Sequence, residues 1–149
     1  MERDDLLINK RKAREISVQV IYALTSPTNE ASLAEAIDFV LESGHFPDEG
    51  YENSVPEELY VPLIKGVMAN RETIDELITP YLNNWTIDRL AKIDAAILRL
   101  AVYEMKHIDD SDVPKIVAVN EAIELSKFFS DDKSRKFING VLNNILKDA

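Results

Sequence analysis

Apolar residues along this chain recur at intervals of three and four, and no stretch alternates apolar and polar positions singly for the length of a strand. That period predicts amphipathic helices almost throughout. A first helix is expected from about Asn9 to Leu24, closed by the turn formers Thr25 to Asn29 with Pro27 as breaker. A second is expected from about Ser32 to Glu42, where Ser32 can cap the first turn and Glu35 stands at the capping-box position. Gly44, Pro47, Gly50 and Pro56 interrupt the pattern between Ser43 and Pro56, which reads as a long acidic loop, expected to be mobile. A third helix follows from about Glu57 to Ala69, with Pro62 either tolerated early or marking the true start. A short helix over about Arg71 to Tyr81 is interrupted near Pro80.

The segment TIDRLAKIDAAILRLAVYEMKHI, residues 86–108, opens on Thr86 as expected cap and is apolar nearly all round. Leu90, Ile93, Ile97, Leu100 and Ala101 share one side, and Leu98, Val102 and Met105 another, so this helix belongs in the middle of a bundle. Beyond the linker DDSDVP, a helix from about Pro114 to Phe129 carries Ile116, Val119 and Ile123 at core spacing. The last helix, about Asp132 to Lys147, is capped by SDDK and turns Phe137, Val141, Leu142 and Ile145 inward. Gly140 inside it costs about 1 kcal/mol relative to alanine unless close contact compensates, and reads as a packing notch. The fold class is therefore all-α, with about seven helices in a single domain over 1–149 that divides near the turn Asn83 to Thr86. The N-terminal subdomain is expected over about 9–82 and the C-terminal one over about 86–147.

Charge changes this picture. The net charge is -10, yet residues 25 to 84 hold 12 acidic residues against Lys65 and Arg71, so that stretch accounts for all of it. A sequence pI near 4.7 argues against indiscriminate nucleic-acid binding, which rests on many cations displacing counterions from phosphates. Any such site must be local. With no cysteine there is no disulfide or thiolate zinc site. No apolar run approaches a membrane span, and the charged start lacks a secretory block, so a cytoplasmic protein is expected.

Against this acidity, NKRKAREISVQVIYAL, residues 9 to 24, packs four basic residues into five positions. At 3.6 residues per turn, Ala13, Ile16, Val20, Ala23 and Leu24 form a core stripe, while Arg11, Arg14, Val18 and Tyr22 fall on the opposite arc. Arginine suits phosphate and an aromatic ring suits an unstacked base. Lys10 and Lys12 flank the stripe, and Gln19 could read a base edge. The alternative is that Val18 and Tyr22 pack on a neighbouring helix and the cations only solubilise a terminus; spacing alone leaves both open. A basic run at a helix start opposes the macrodipole, a conflict that a phosphate partner resolves. A second cluster, Lys133, Ser134, Arg135 and Lys136, opens the last helix, where free N–H groups favour an anion; Asp131 and Asp132 adjoin it and can neutralise it. If the two clusters sit side by side, they make one patch. His45 and His107 have no nucleophile predicted beside them, no phosphate loop or metal motif occurs, and Asn120 and Glu121 read as a buried structural hydrogen bond or a partner interface. An enzyme is not expected, nor any cofactor or metal.

Four segments in order, KRKAREISVQVIYAL, DRLAKIDAAILRLAVYEM, VPKIVAVNEAIELSKFF and RKFINGVLNNIL, resemble the NusB family of bacterial transcription antitermination factors over about residues 10 to 146. The resemblance implies two packed three-helix-type bundles and RNA binding rather than catalysis. It implies a partner, NusE, a small-subunit ribosomal protein, with which NusB proteins bind the boxA element of RNA. The pair joins NusA, NusG and RNA polymerase on ribosomal RNA operons. By position the family's RNA-contacting helix corresponds to Lys10, Arg11, Lys12 and Arg14, with Gln19 and Tyr22 beyond them, and the start of its last helix to Lys133, Ser134, Arg135 and Lys136. Lysine at 10 and 12, where the family's run is often arginine, supplies point charges rather than planar forks. Free NusB proteins in some bacteria self-associate, so a homodimer is a further expectation to test. The competing reading is a helical protein–protein adaptor without direct RNA contact.

Overall fold

The computed structural model describes residues 3–47 and 55–149, and among these there are seven α-helices and no strand. They are α1 (Arg3–Leu24), α2 (Leu33–Ser43), α3 (Val61–Ala69), α4 (Arg71–Ile78), α5 (Lys92–His107), α6 (Lys115–Phe129) and α7 (Asp132–Lys147). The expected acidic loop lies, over 48–54, outside the described residues.

Local chemistry explains most boundaries. Ser32 caps α2 as a full capping box: its Oγ accepts from Glu35 N at 3.2 Å, and Glu35 Oε1 accepts from Ser32 N at 3.0 Å. Pro62 lies in the first turn of α3, where its missing N–H costs nothing, and residues 57–59 ahead of it form a separate 3-10 turn. Asp131 Oδ1 accepts from Ser134 N at 2.8 Å and caps α7. That hydrogen bond from the Ser134 backbone holds the Asp131 carboxyl below its ordinary range.

Two expectations are corrected. Thr86 does not open the central helix: it precedes a 3-10 turn over Ile87–Arg89, Leu90 is extended, Ala91 stands at the N-cap, and α5 starts at Lys92. In that turn Ile87 is buried while Asp88 and Arg89 are exposed, so one apolar contact anchors the segment rather than a helical face. Gly140 is not a packing notch, since a Cβ there would meet nothing within 4 Å. The notch is Gly66, where a Cβ would stand 2.2 Å from the Tyr103 ring, so α3 and α5 approach backbone against side chain only because the side chain is absent.

As its pattern implied, α5 is the centre: it packs on α1, α3, α4, α6 and α7, and every residue from Asp94 to Val102 is buried. Three polar links hold it. Arg14 Nε and Nη2 on α1 donate to Glu104 Oε1 and Oε2, both at 2.8 Å. Arg99 donates to both carboxylate oxygens of Asp75 on α4 at 2.7 and 3.0 Å, and Ser130, just past α6, donates to Asp94. These satisfy charges that burial would otherwise make costly. No helix among the described residues is long and apolar enough to cross a membrane.

Candidate nucleic-acid interface

The basic stretch of α1 faces α6 across two adjoining grooves. The first, of about 450 Å³, has Leu7, Ile8, Val113 and Val117 as its apolar lining and Lys10, Arg11 and Glu121 among its charged residues. The second, of about 360 Å³, continues past Arg11 and Glu121 to Lys127, Phe128 and Phe129 near the end of α6. Asp132 opens α7 three residues beyond Phe129. Arg11 and Phe129 line this second groove together, but no residue of the cluster at 133–136 lines either groove.

Arg11 is the accessible guanidinium, its side chain 55% exposed. Its Nε and Nη2 donate to Glu121 Oε2 and Oε1, each at 3.1 Å, in a two-bond fork between α1 and α6. That carboxylate raises the Arg11 pKa, first through the hydrogen bonds and then through its charge. Tyr22 is exposed and Lys10 is half-buried at the groove edge.

The other predicted residues of α1 are placed differently. Arg14 does not share an outward face with Arg11; it is 6% exposed and committed to Glu104. Burial opposes its charge, but the Glu104 hydrogen bonds and charge prevail and its pKa rises. Val18 is fully buried, and Lys12 is buried at 8% exposure. The wheel assumed one core face, whereas α1 packs on α2, α3 and α5 together, which encloses residues 12–18 on every side. Gln19 is not presented to a base: its Nε2 donates to His45 O at 3.0 Å and its Oε1 accepts from His45 N at 2.8 Å. It clasps the chain after α2, and a Cβ on Gly44 would sit 2.9 Å from that same Oε1.

In α7, Lys133 and Lys136 are exposed. Arg135 pairs with Asp132 at 2.8 Å, and the Ser134 N–H is taken by Asp131, so part of this cluster is neutralised locally. Sequence reasoning missed Glu121 as the partner of Arg11, Glu104 as the partner of Arg14, and Phe128 as an exposed aromatic beside Lys127. Asn120, read as buried, is exposed. Periodicity can find such faces, but not a pairing 110 positions apart, as between Arg11 and Glu121.

Comparison with known proteins bears on what this surface does. A family model described as the NusB family matches residues 11–147. The transcription antitermination protein NusB of Listeria monocytogenes serotype 4a is 46% identical over 138 residues, covering 93% of this chain and 96% of that protein. Among solved structures, T. maritima NusB matches with a TM-score of 0.74 at 31% identity, over 93% of this chain and 91% of that one. A structure of the antitermination factors NusB and NusE in complex with dsRNA matches with a TM-score of 0.75 at 26% identity, over 95% and 98%.

Proposed function

Since the chain belongs to the NusB family of transcription antitermination proteins, not of enzymes, we propose that it binds RNA of the boxA type together with NusE. In this reading the joint complex engages NusA, NusG and RNA polymerase in the cytoplasm and carries transcription through ribosomal RNA operons. The supporting observation is the likeness, over 95% of this chain, to a structure of antitermination factors NusB and NusE with dsRNA. The residues offered to RNA are Lys10, Arg11 and Tyr22 of α1 with Lys133 and Lys136 of α7, all exposed or half-buried. Guanidinium and ammonium groups would take phosphates, and Tyr22 a base face.

Arg14, Lys12 and Gln19 serve this surface from beneath, by fixing the pose of α1. The test is binding of the full chain to a boxA-type RNA, with NusE added or omitted, against a scrambled RNA. A Lys10→Glu/Arg11→Glu variant should lose more than about tenfold in affinity, since each charge-assisted contact is worth about 1.5–3 kcal/mol, with helicity unchanged by circular dichroism. Unaltered affinity would favour the protein-only adaptor, for which exposed Ile116, Val117 and Phe128 on α6 offer apolar surface.

A further inference from the structure

We infer that Glu121 is an anionic competitor built into the RNA groove, holding Arg11 in the place a phosphate would take and so setting how much binding ionic contact alone can deliver. This rests on the RNA-binding reading above.

Three features carry it. The Glu121 side chain is 17% exposed against 55% for Arg11, so the carboxylate is the fixed member of the pair and the guanidinium the accessible one. The fork uses Nε and Nη2 of Arg11, the edge by which a guanidinium binds two phosphate oxygens side by side. Glu121 lines both grooves, and Arg11 and Arg14 line them with it. A phosphate arriving at Arg11 must therefore either displace two hydrogen bonds to a largely buried carboxylate, or use the remaining N–H groups beside a like charge. Both routes weaken the gain from that phosphate. The penalty falls on every RNA alike. An RNA that also stacks on Tyr22 or docks with a protein partner can overcome it, whereas a purely ionic encounter stays weak. The same logic extends to α7, where Asp132 holds Arg135, but there the carboxylate is the exposed member, at 81% against 17% for Glu121, and is freer to swing away.

Glu121→Gln tests this directly. The amide keeps the side chain's shape and one acceptor for Arg11 while removing the charge, so the fold should stand, as a thermal melt will verify. Affinity for both the boxA-type and the scrambled RNA should rise about tenfold, as expected for one further charge-assisted contact. The plot of log K against log salt should steepen by about 0.7, the increment for one more neutralised phosphate on a single strand. In an Arg11→Gln background the same substitution should give no gain. Unchanged or weaker binding by Glu121→Gln, an unchanged salt slope, or a gain that persists without Arg11 would each overturn the inference while leaving RNA binding intact. Failure of both the parent protein and the variant to bind either RNA, with NusE present, would overturn the functional reading and the inference together.

Discussion

Arg11 and Arg14 stand three positions apart on one helix, yet Arg11 is exposed across from α6 and Arg14 is buried against α5. The difference is energetic. Both members of the Arg14–Glu104 pair are nearly inaccessible, at 8% and 3% for their side chains, and removing one partner of a buried pair strands the other charge, at a cost of about 3–5 kcal/mol. Arg14→Met alone should therefore lower the stability measured by urea denaturation by that amount. Adding Glu104→Leu should recover most of it, because two apolar residues replace the pair without leaving a charge. A loss of RNA affinity in folded Arg14→Met with no loss of stability would contradict the buried assignment. The sequence pattern could not separate these two arginines, because a wheel reports only which residues share a face. It does not report how many neighbours that face meets, nor that Glu104, ninety positions on, awaits the guanidinium.

At the scale of elements, the legible features were those written in adjacent residues. Ser32 with Glu35, Pro62 at the start of α3, and Asp131 ahead of α7 announce helix ends through contacts within four positions. The all-round apolar character of α5 likewise announced its central place. What local reading misassigned depends on distant partners: the interrupted start of α5, and the two glycines. Gly66 and Gly140 each lie inside a helix, and only the neighbour across the interface tells them apart. Gly66→Ala should destabilise the protein by about 1–3 kcal/mol, the usual range for overpacking, because its methyl would overlap the Tyr103 ring that stacks on His107 at 5.0 Å. Gly140→Ala should stabilise it by about 1 kcal/mol through helix propensity alone. Paired thermal melts of the two variants check both signs. A destabilised Gly140→Ala would mean that α7 needs the freedom of glycine there.

The charge of the whole molecule is divided rather than spread. The 12 acidic and two basic residues of 25–84 carry the net -10, while the remainder holds 15 of each sign. Residues 25–84 therefore repel a polyanion, while the balanced remainder, which holds both basic clusters, does not. If Lys10, Lys133 and Lys136 each meet one phosphate while Glu121 keeps Arg11 from meeting one, log K for a boxA-type RNA should fall with log salt at a slope of about −2. A titration by fluorescence anisotropy in the presence of NusE measures it. A slope near zero would indicate an apolar protein contact instead, and one far steeper would require cations beyond those two clusters.

The central position of α5 has a consequence in time as well as in space. Synthesis runs from α1 toward α7, so α5 is made before α6 and α7, the helices that complete its cover. At about 5–20 residues per second, the 33 residues of 115–147 take roughly 2–7 s to add. For that interval the apolar surface that α6 and α7 will cover has no partner from those two helices. Until then α1, α3 and α4 are the only partners yet made for the middle helix, and the finished fold waits on the last quarter of translation.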